Sequence, residues 1–469
     1  MIKIKLRTKI EIICAIFLLM FLAAVSVASL TRTISDSADN SYTFIRNSNG
    51  NYWVATATNI QLAINDVYTN LTNNRGTVWL PAGTLTITAQ ITLRSNVELV
   101  GCGVNVTRIY SDQSGSFIPF ILNGINNVTI RDLTIDMHSQ GSNGIYITGA
   151  SQNIRVEDVS IENAGFQGIY VTDNCRFLYI SNVKVKHGSI TASHGFGLLN
   201  MYDSTIDNCI FENYHHDASE DGIDISHCEN VTMSNIIIRG AGWHDAIKTI
   251  GSKKIVLSNI IIKDSYNYGL KLQTNTDISI DNFYIENTGT IGVACFSDSN
   301  GINLNNGYIK RSGSTGINIE AVNVSCSNIE IDGSLGGGIS ISSSNIQLTN
   351  IRIIKAQSYN KMNSARNVLI SNCMFLYGSD MGLSIDDSTN FKIMNCIFEG
   401  NIGDGIDTTI SACNNYSIIG CTFKNNAQGI DCHANDDWNM ITLNTFIGDT
   451  LDDHFKSKGY AANNIGDDI

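Results

Sequence analysis

The stretch LSNIIIKDSYNYGLKLQTNTDISIDNFYI, residues 257–285, contains one complete copy of a pattern that recurs along the chain. One phrase, apolar-x-Asn-x-x-apolar, occurs twice in it, as LSNIII and IDNFYI. A second phrase, Gly-apolar-x-apolar, lies between them as GLKL. Short period-two alternation is typical of β-strands, and the Gly, Asn and Ser between the phrases are typical of turns. The pattern therefore predicts short strands joined by turns, without a helix in the repeat.

Twelve copies of the first phrase follow one another with a mean spacing of about 24 residues. Three short strands in a repeat of that length form one coil of a solenoid whose coils stack about 4.8 Å apart. We therefore predict an all-β fold, a single-stranded right-handed parallel β-helix. The polar marker of each copy should lie in a turn, where its amide can bond to the next turn in a ladder. The markers are Asp132, Asp158, Asn182, Asn208, Asn235, Asn259, Asn282, Asn306, Asn328, Asn350, Asn372 and Asn395.

Stacked coils should place like residues in inward columns. One predicted column contains Leu257, Ile280, Leu304, Cys326, Leu348, Ile370 and Ile393, and another contains Phe375, Phe398 and Phe423. Cys209, Cys373, Cys396 and Cys421 share a slot that holds Ile or Val in other copies. Although cysteines in an exported chain commonly form disulfides, this apolar slot favours buried thiols for these four.

The ends of the chain differ from the repeat. A basic start, an apolar run and the small-x-small tripeptide Ser26-Val27-Ala28 predict an export signal over 1–28, with an uncleaved anchor as the alternative. Residues 29–76 form an N-terminal segment with a predicted capping helix over 58–71, where Thr58 and Gln61 have capping-box spacing. The β-helix is expected over 77–450 and a C-terminal cap over 451–469. We therefore expect a secreted or cell-surface protein that meets a membrane only through an uncleaved N-terminus.

Composition limits the partners. The chain has 469 residues, 43% of them hydrophobic, and a formal net charge of −13. This apolar content is sufficient for a core, and the acidic balance argues against nucleic acid as a partner because phosphate binding needs a basic face.

From about residue 57 to 450, the helix, the stretch GTVWLPAGTLTI and the repeats resemble the pectin-lyase-like right-handed β-helix superfamily. Its members mostly cleave, epimerise or bind polysaccharides, and some are surface fibres. Residues 220–251 resemble the part of glycoside hydrolase family 28 that carries NTDGID and DDCIAIK. The resemblance gives Asp221 and Asp245 the places of two family aspartates, with His244 in place of a third. The histidine of the family's Gly-His-Gly falls at Tyr268.

The residues themselves also single out this region. Aligning the Gly-apolar-x-apolar strands places Asp221, Asp245 and Tyr268 in one column of successive coils, before Gly222, Ala246 and Gly269 respectively. The third position of the same strands holds Asp224, Lys248 and Lys271. These charged outward positions cluster in the middle coils and become small or neutral farther on, until Asp407 and Asp431.

Two reactions are compatible with this set. Glycoside hydrolysis would use Asp221 and Asp245 as its two carboxylates. Uronate elimination would use Lys248 or Lys271 as a base of lowered pKa, with Asp221, Asp224 and Asp245 as Ca²⁺ ligands. A third interpretation involves no catalysis, because opposite charges on adjacent strands also form ladders that stabilise a sheet. Tyr170, Trp243, Tyr266 and Tyr268 are expected to stack on sugar rings.

We therefore expect an exported carbohydrate-active protein that cleaves a polysaccharide, as a hydrolase or a lyase, at the outward face of its central coils. The predicted catalytic residues are Asp221, His244, Asp245, Lys248 and Lys271, and the predicted substrate-binding residues are Tyr170, Asp224, Trp243, Tyr266 and Tyr268. No cofactor is required by the pattern, and calcium is the one candidate. The alternative is a non-catalytic β-helical adhesin or fibre that binds glycans.

Overall fold

The computed structural model describes most of the chain between residues 30 and 466, in two compact units, Met1–His215 and His216–Ile469. No helix in the described part is long and apolar enough to cross a bilayer. The expected export signal over 1–28 lies outside the described residues, as does most of the tail over 451–469. The described ranges are 30–35, 41–47 and 50–54 (backbone only), 60–70, 76–111, 118–137, 143–187, 194–213, 220–240, 242–433, 436, 439–449, 460–462 and 464–466.

The first unit begins with three strands, of which only the backbone is described, and with helix α1 (Ile60–Asn70). It continues as parallel coils. Its strands are β1 (Leu30–Ser35), β2 (Ser41–Asn47), β3 (Gly50–Val54), β4 (Gly76–Trp79), β5 (Gly83–Ile87), β6 (Ile91–Thr92), β7 (Val97–Val100), β8 (Thr107–Ser111), β9 (Phe120–Asn123), β10 (Asn126–Asp136), β11 (Asn143–Thr148), β12 (Gln152–Glu162), β13 (Gln167–Val171), β14 (Tyr179–His187), β15 (His194–Leu199), β16 (Tyr202–Asp207) and β17 (Ile210–Asn213).

Helix α1 lies within the predicted span 58–71 and buries Ile60, Ile64 and Val67, which follow helical spacing. Thr58, one partner of the predicted capping box, lies outside the described residues, and the other partner, Gln61, contacts strand β6. The Gln61 side chain donates to the Thr92 carbonyl at 3.1 Å and accepts from the Thr92 N–H at 2.7 Å. The helix therefore satisfies backbone groups of the short strand β6, which is one way to cover the edge of a solenoid.

The second unit contains the longer series of coils. Its strands are β18 (Ile223–Ser226), β19 (Glu229–Arg239), β20 (Ile247–Ile250), β21 (Lys253–Lys263), β22 (Leu270–Gln273), β23 (Thr276–Glu286), β24 (Val293–Cys295), β25 (Asn300–Lys310), β26 (Ile317–Ile319), β27 (Val322–Asp332), β28 (Ile339–Ile341), β29 (Ser344–Ile354), β30 (Lys361–Asn363), β31 (Arg366–Ser371), β32 (Met374–Leu376), β33 (Leu383–Asp386), β34 (Thr389–Met394), β35 (Ile397–Glu399), β36 (Ile406–Asp407), β37 (Ser417–Ile419), β38 (Thr422–Lys424), β39 (Ile430–Asp431), β40 (Met440–Thr442), β41 (Thr445–Ile447), β42 (Tyr460–Ala462) and β43 (Ile465–Gly466).

Both units are built from right-handed parallel coils of about 24 residues, which confirms the predicted fold class. In the second unit, Leu257 pairs with Ile280 and Ile280 with Leu304, as the predicted inward column requires. The predicted phenylalanine column is a stack of parallel rings, with Phe398 centred 4.8 Å from Phe375 and 5.1 Å from Phe423. Like side chains therefore fill the core coil after coil.

The polar markers lie where the chain bends, although nine of the twelve, such as Asn259 in β21, are inside strands and not in turns between them. Asn208, Asn372 and Asn395 lie between two short strands. Each marker has a positive φ, for example 54° at Asn259, a conformation that Asn and Asp tolerate better than most residues. Their amides form the expected ladder, because Asn259 donates to Asn235 at 2.9 Å and Asn282 donates to Asn259 at 2.6 Å. The recurrent Asn thus supplies both the backbone geometry and the contact between neighbouring coils.

The four cysteines of the shared slot, Cys209, Cys373, Cys396 and Cys421, are buried free thiols. In the first unit, burial raises the pKa of Cys209 to about 12, so this thiol stays protonated at neutral pH. The prediction of buried thiols in an apolar slot is confirmed for all four.

Candidate functional site

The candidate site lies on three successive coils of the second unit, where β18, β20 and β22 pair in parallel. Asp224 pairs with Lys248, and Lys248 pairs with Lys271, in the register predicted from the repeat. Because side chains alternate along a strand, the buried residues at the second and fourth positions direct these third-position charges away from the core. A small residue precedes each strand, namely Gly222, Ala246 and Gly269, and Asp221 and Asp245 directly precede the first two of these.

Asp221 links two coils. Its Oδ1 accepts a hydrogen bond from the Asp245 backbone N–H at 3.2 Å, and its Oδ2 lies 3.0 Å from Lys248 Nζ. The same ammonium lies 3.3 Å from Asp224 Oδ2, so one lysine joins both carboxylates of the DGID motif. The Asp221 side chain is only 5% exposed, because the next coil covers it.

Asp245 is held in a similar way from the following coil. Its Oδ1 accepts from Asn267 Nδ2 at 2.9 Å and from the Tyr268 N–H at 3.3 Å. Its Oδ2 is buried, receives no hydrogen bond, and lies 3.5 Å from Lys271 Nζ. The side chain is 1% exposed, so Lys271 provides the compensating charge.

Opposing effects act on the pKa of Lys248. Burial alone would lower the pKa, but the attraction of Asp221 and Asp224 outweighs it and raises the pKa above its ordinary value. Lys248 is therefore a fixed cation at neutral pH. This corrects the hypothesis that it is a base of lowered pKa, for which the two carboxylates lie too close.

His244 is the most exposed of the predicted catalytic residues, with 38% of its side chain accessible. Its Nδ1 lies 3.3 Å from Asp245 Oδ1 and 3.9 Å from Asp221 Oδ1. Two buried carboxylates thus lie within 4.0 Å of one ring nitrogen.

The predicted sugar-stacking residues fall into different environments. Tyr266 is 58% exposed, with its ring centred 6.3 Å from that of His244. Tyr268 lies beside Lys271, whose Nζ is 5.5 Å from the ring centre. Burial, Asp245 and Glu320 raise the pKa of Tyr268, so its phenol stays protonated at neutral pH. Tyr170 belongs to the first unit, where its ring stacks on Tyr146 at 5.2 Å.

Trp243 does not fit its predicted role. The side chain is completely buried, and its indole N–H donates to the Arg239 carbonyl at 3.2 Å. A sugar ring has no access to an indole in that position. Trp243 is therefore part of the core, and the prediction that it stacks on a sugar is wrong.

A calcium ion fits the predicted ligands Asp221, Asp224 and Asp245 poorly. Oxygen or nitrogen atoms of Asp221, His244 and Asp245 do lie within 4.8 Å of one another. However, Lys248 already pairs with Asp221 and Asp224, and Lys271 pairs with Asp245. A divalent cation would compete with two fixed ammonium groups at those oxygens. Lys248 and Lys271 thus supply positive charge at these oxygens.

Three residues of the site were not predicted. Asn267 orients Asp245, and Phe296 lies under Lys271 and meets Tyr268 edge to face, with its ring centred 6.0 Å from that of Tyr268. Glu320 acts on Tyr268 through its charge. Asn267 directly precedes Tyr268, which shares a column with Asp221 and Asp245. This adjacency was the feature of the sequence from which Asn267 could have been predicted. Phe296 and Glu320 come from later coils and carry no such signal.

Two family models match the chain. The model described as right handed beta helix region matches residues 298–446. The model described as rhamnogalacturonase A/epimerase, pectate lyase-like, matches residues 55–271, a range that includes every charged residue of the site from Asp221 to Lys271. No curated protein sequence matches the chain.

Solved structures with similar folds have low identity to this chain. A tailspike protein mutant of Escherichia coli bacteriophage HK620, in complex with a hexasaccharide, is 12% identical, covers 86% of this chain and 75% of its own, and has a TM-score of 0.50. A family 28 exopolygalacturonase from Yersinia enterocolitica is 12% identical, with 75% and 82% covered and a TM-score of 0.49. The A-module of a mannuronan C-5 epimerase from Azotobacter vinelandii is 17% identical, with 81% and 94% covered and a TM-score of 0.45. By its family models and its coils, the chain belongs to the pectin-lyase-like, right-handed parallel β-helix superfamily.

Proposed function

We propose that the protein is a carbohydrate-active enzyme that cleaves a uronate-containing polysaccharide by elimination. The observation that carries the proposal is the difference in exposure within one charged cluster. His244, Lys248 and Lys271 reach the surface, whereas the side chains of Asp221 and Asp245 are 5% and 1% exposed. The match of residues 55–271 to a pectate lyase-like model supports the same substrate class.

Elimination fits the accessible groups. Hydrolysis needs two carboxylates in contact with the glycosidic oxygen and the anomeric carbon, and both candidates here are covered. Elimination needs a base at the C5 proton and positive charge at the uronate carboxylate, which makes that proton more acidic. His244 is the accessible base, and Lys248 and Lys271 are the fixed cations.

In the proposed step, Nε2 of His244 takes the C5 proton while the carboxylates hold Nδ1. The electron pair of the broken C5–H bond forms a C4–C5 double bond, and the C4–O bond to the leaving sugar breaks. Tyr268, which keeps its phenol proton, supplies that proton to the leaving oxygen. Asp221, Asp245 and Asn267 are positioning residues, because they act by holding the imidazole and the lysines in place.

The test is a turnover assay of the full chain on polygalacturonate and alginate, read by ultraviolet absorbance of the unsaturated product. We expect His244→Gln to lower turnover by about 10²–10⁴-fold, the usual contribution of a general base, without changing the unfolding midpoint. The matched control is His227→Asn, because His227 lies in a turn with a φ of 55° that Asn also adopts. New reducing ends without unsaturated product would overturn elimination in favour of hydrolysis.

The second candidate is a glycan-binding β-helix without catalysis. It is favoured by the pairing of Lys248 with Asp221 and Asp224 and of Lys271 with Asp245, which also describes a stabilising cross-strand ladder. A wild-type chain that binds a polysaccharide in affinity electrophoresis, but releases no product, would establish this function and exclude the first.

A further inference from the structure

The DGID motif of the site, Asp221–Asp224, occurs a second time as Asp404–Asp407. The two copies have the same place in a coil. In both, one aspartate precedes the glycine, and the other occupies the outward position of the strand that follows, β18 or β36. The copies differ in the residue that the next coil places beside them.

At the first copy, the next coil supplies a cation. Lys248 pairs with Asp224 in the parallel register, and its ammonium lies 3.0 Å from Asp221 Oδ2 and 3.3 Å from Asp224 Oδ2. At the second copy, the register partner of Asp407 is Asp431. A third carboxylate therefore occupies the strand position from which a lysine neutralises the first pair.

The second copy, with Asp431, forms a three-carboxylate cluster. One oxygen each from Asp404, Asp407 and Asp431 lies within 4.8 Å of the others. Within the described part of the chain, no lysine, arginine or histidine forms an ion pair with any of the three. Like charges at this distance repel unless something positive separates them.

One oxygen of the cluster is buried without a partner. Asp431 Oδ1 is completely buried and receives no hydrogen bond. Asp407 is only 2% exposed, and its Oδ1 accepts a hydrogen bond from the Thr409 N–H at 2.7 Å. Buried carboxylate oxygens are normally paired, so the Asp431 oxygen indicates a ligand that the side chains do not supply.

We propose that Asp404, Asp407 and Asp431 bind a calcium ion in the place that the Lys248 ammonium takes at the first copy. Calcium prefers six to eight oxygen ligands, including carboxylates, carbonyls and water, and accepts irregular geometry. This site is separate from the proposed cleavage reaction and does not depend on it.

The test is isothermal titration of CaCl₂ into chelator-treated full-length protein. We expect wild-type protein to release or absorb heat with saturable binding and to gain thermal stability in calcium. Asp431→Lys should raise the Kd for calcium at least about 100-fold, because it places an ammonium where the ion binds. The same variant should remain folded in chelator, with a melting temperature at or above that of wild type, because it restores the arrangement of the first copy.

Glu330→Gln is the control, because it removes an acidic charge that pairs with Arg352 on another face of the coil and should leave the Kd unchanged. Asp407→Asn provides a second variant that should also lose calcium binding. The proposal is overturned if wild type shows no calcium-dependent heat or stabilisation, or if Asp431→Lys binds calcium as wild type does.

Discussion

Lys248 balances the charges of the candidate site. It contacts Asp221 and Asp224, and Asp221 has almost no access to water that could replace the lysine. Removing one partner of a buried pair is costly because the remaining charge stays desolvated. The cross-strand ladder and the active site are therefore not exclusive interpretations of this residue, since the pairing that stabilises the coil also fixes a cation at the surface.

We predict that Lys248→Met lowers the free energy of unfolding by about 1–3 kcal/mol, the cost of leaving buried acceptors unsatisfied. Urea denaturation at pH 8 measures this change. Lys254→Met is the matched control, because its pair with Glu229 is exposed and should contribute less than about 1 kcal/mol. Equal losses in the two variants would contradict a special role for Lys248.

The pH dependence of this contribution follows from the raised pKa of Lys248. The pKa of Lys248 is higher in the folded than in the unfolded protein, where it is about 10.4. Its charge therefore stabilises the folded protein fully at pH values below about 10.4. This stabilisation is lost as the pH rises through the pKa of the folded protein. The difference between wild type and Lys248→Met should therefore hold from pH 7 to about 10 and shrink above it.

Individual turns and strands explain why the fold was easier to predict than the site. The Asn markers and apolar columns repeat, so each coil confirms the register of the next, and the predicted pairs Leu257–Ile280 and Asp224–Lys248 follow from counting residues. The site depends on contacts that occur once. Packing between coils decides that Trp243 is buried and that His244, and not Lys248, is the accessible base. Such packing does not recur from coil to coil, so the repeat in the sequence does not reveal it.

The bend at an Asn marker, such as Asn259 in β21, is the element whose residue choice can be tested directly. We predict that Asn259→Ala lowers the free energy of unfolding by about 2–3 kcal/mol, because alanine disfavours a positive φ and cannot continue the ladder. Asn259→Gly should cost about 1 kcal/mol less, because glycine adopts the same φ but also lacks the amide. Chemical denaturation of both variants separates the two effects, and equal losses would show that the ladder alone matters.

At the scale of the whole molecule, repetition makes a coil a unit that can be removed. Solenoid repeats contact mainly their sequence neighbours, so stability is close to a sum over repeats and interfaces. In the second unit, Val324 pairs with Ile346 and Asn300 with Val322, so β25, β27 and β29 follow one another in a constant register. The same periodicity places the three coils of the candidate site together without help from distant coils.

We therefore predict that deleting residues 322–343, one complete coil, gives a folded protein in which Leu304 pairs with Leu348 in place of Cys326. Far-ultraviolet circular dichroism should keep its β-sheet signal, urea unfolding should stay cooperative, and turnover should stay within about twofold of wild type, because repeats act through their neighbours. Deleting only 322–332 shifts the coil by half a turn and should abolish cooperative unfolding, because it brings inward and turn positions into register. If both deletions unfold the protein equally, coils are not independent units, and the placing of the site by local register alone is wrong.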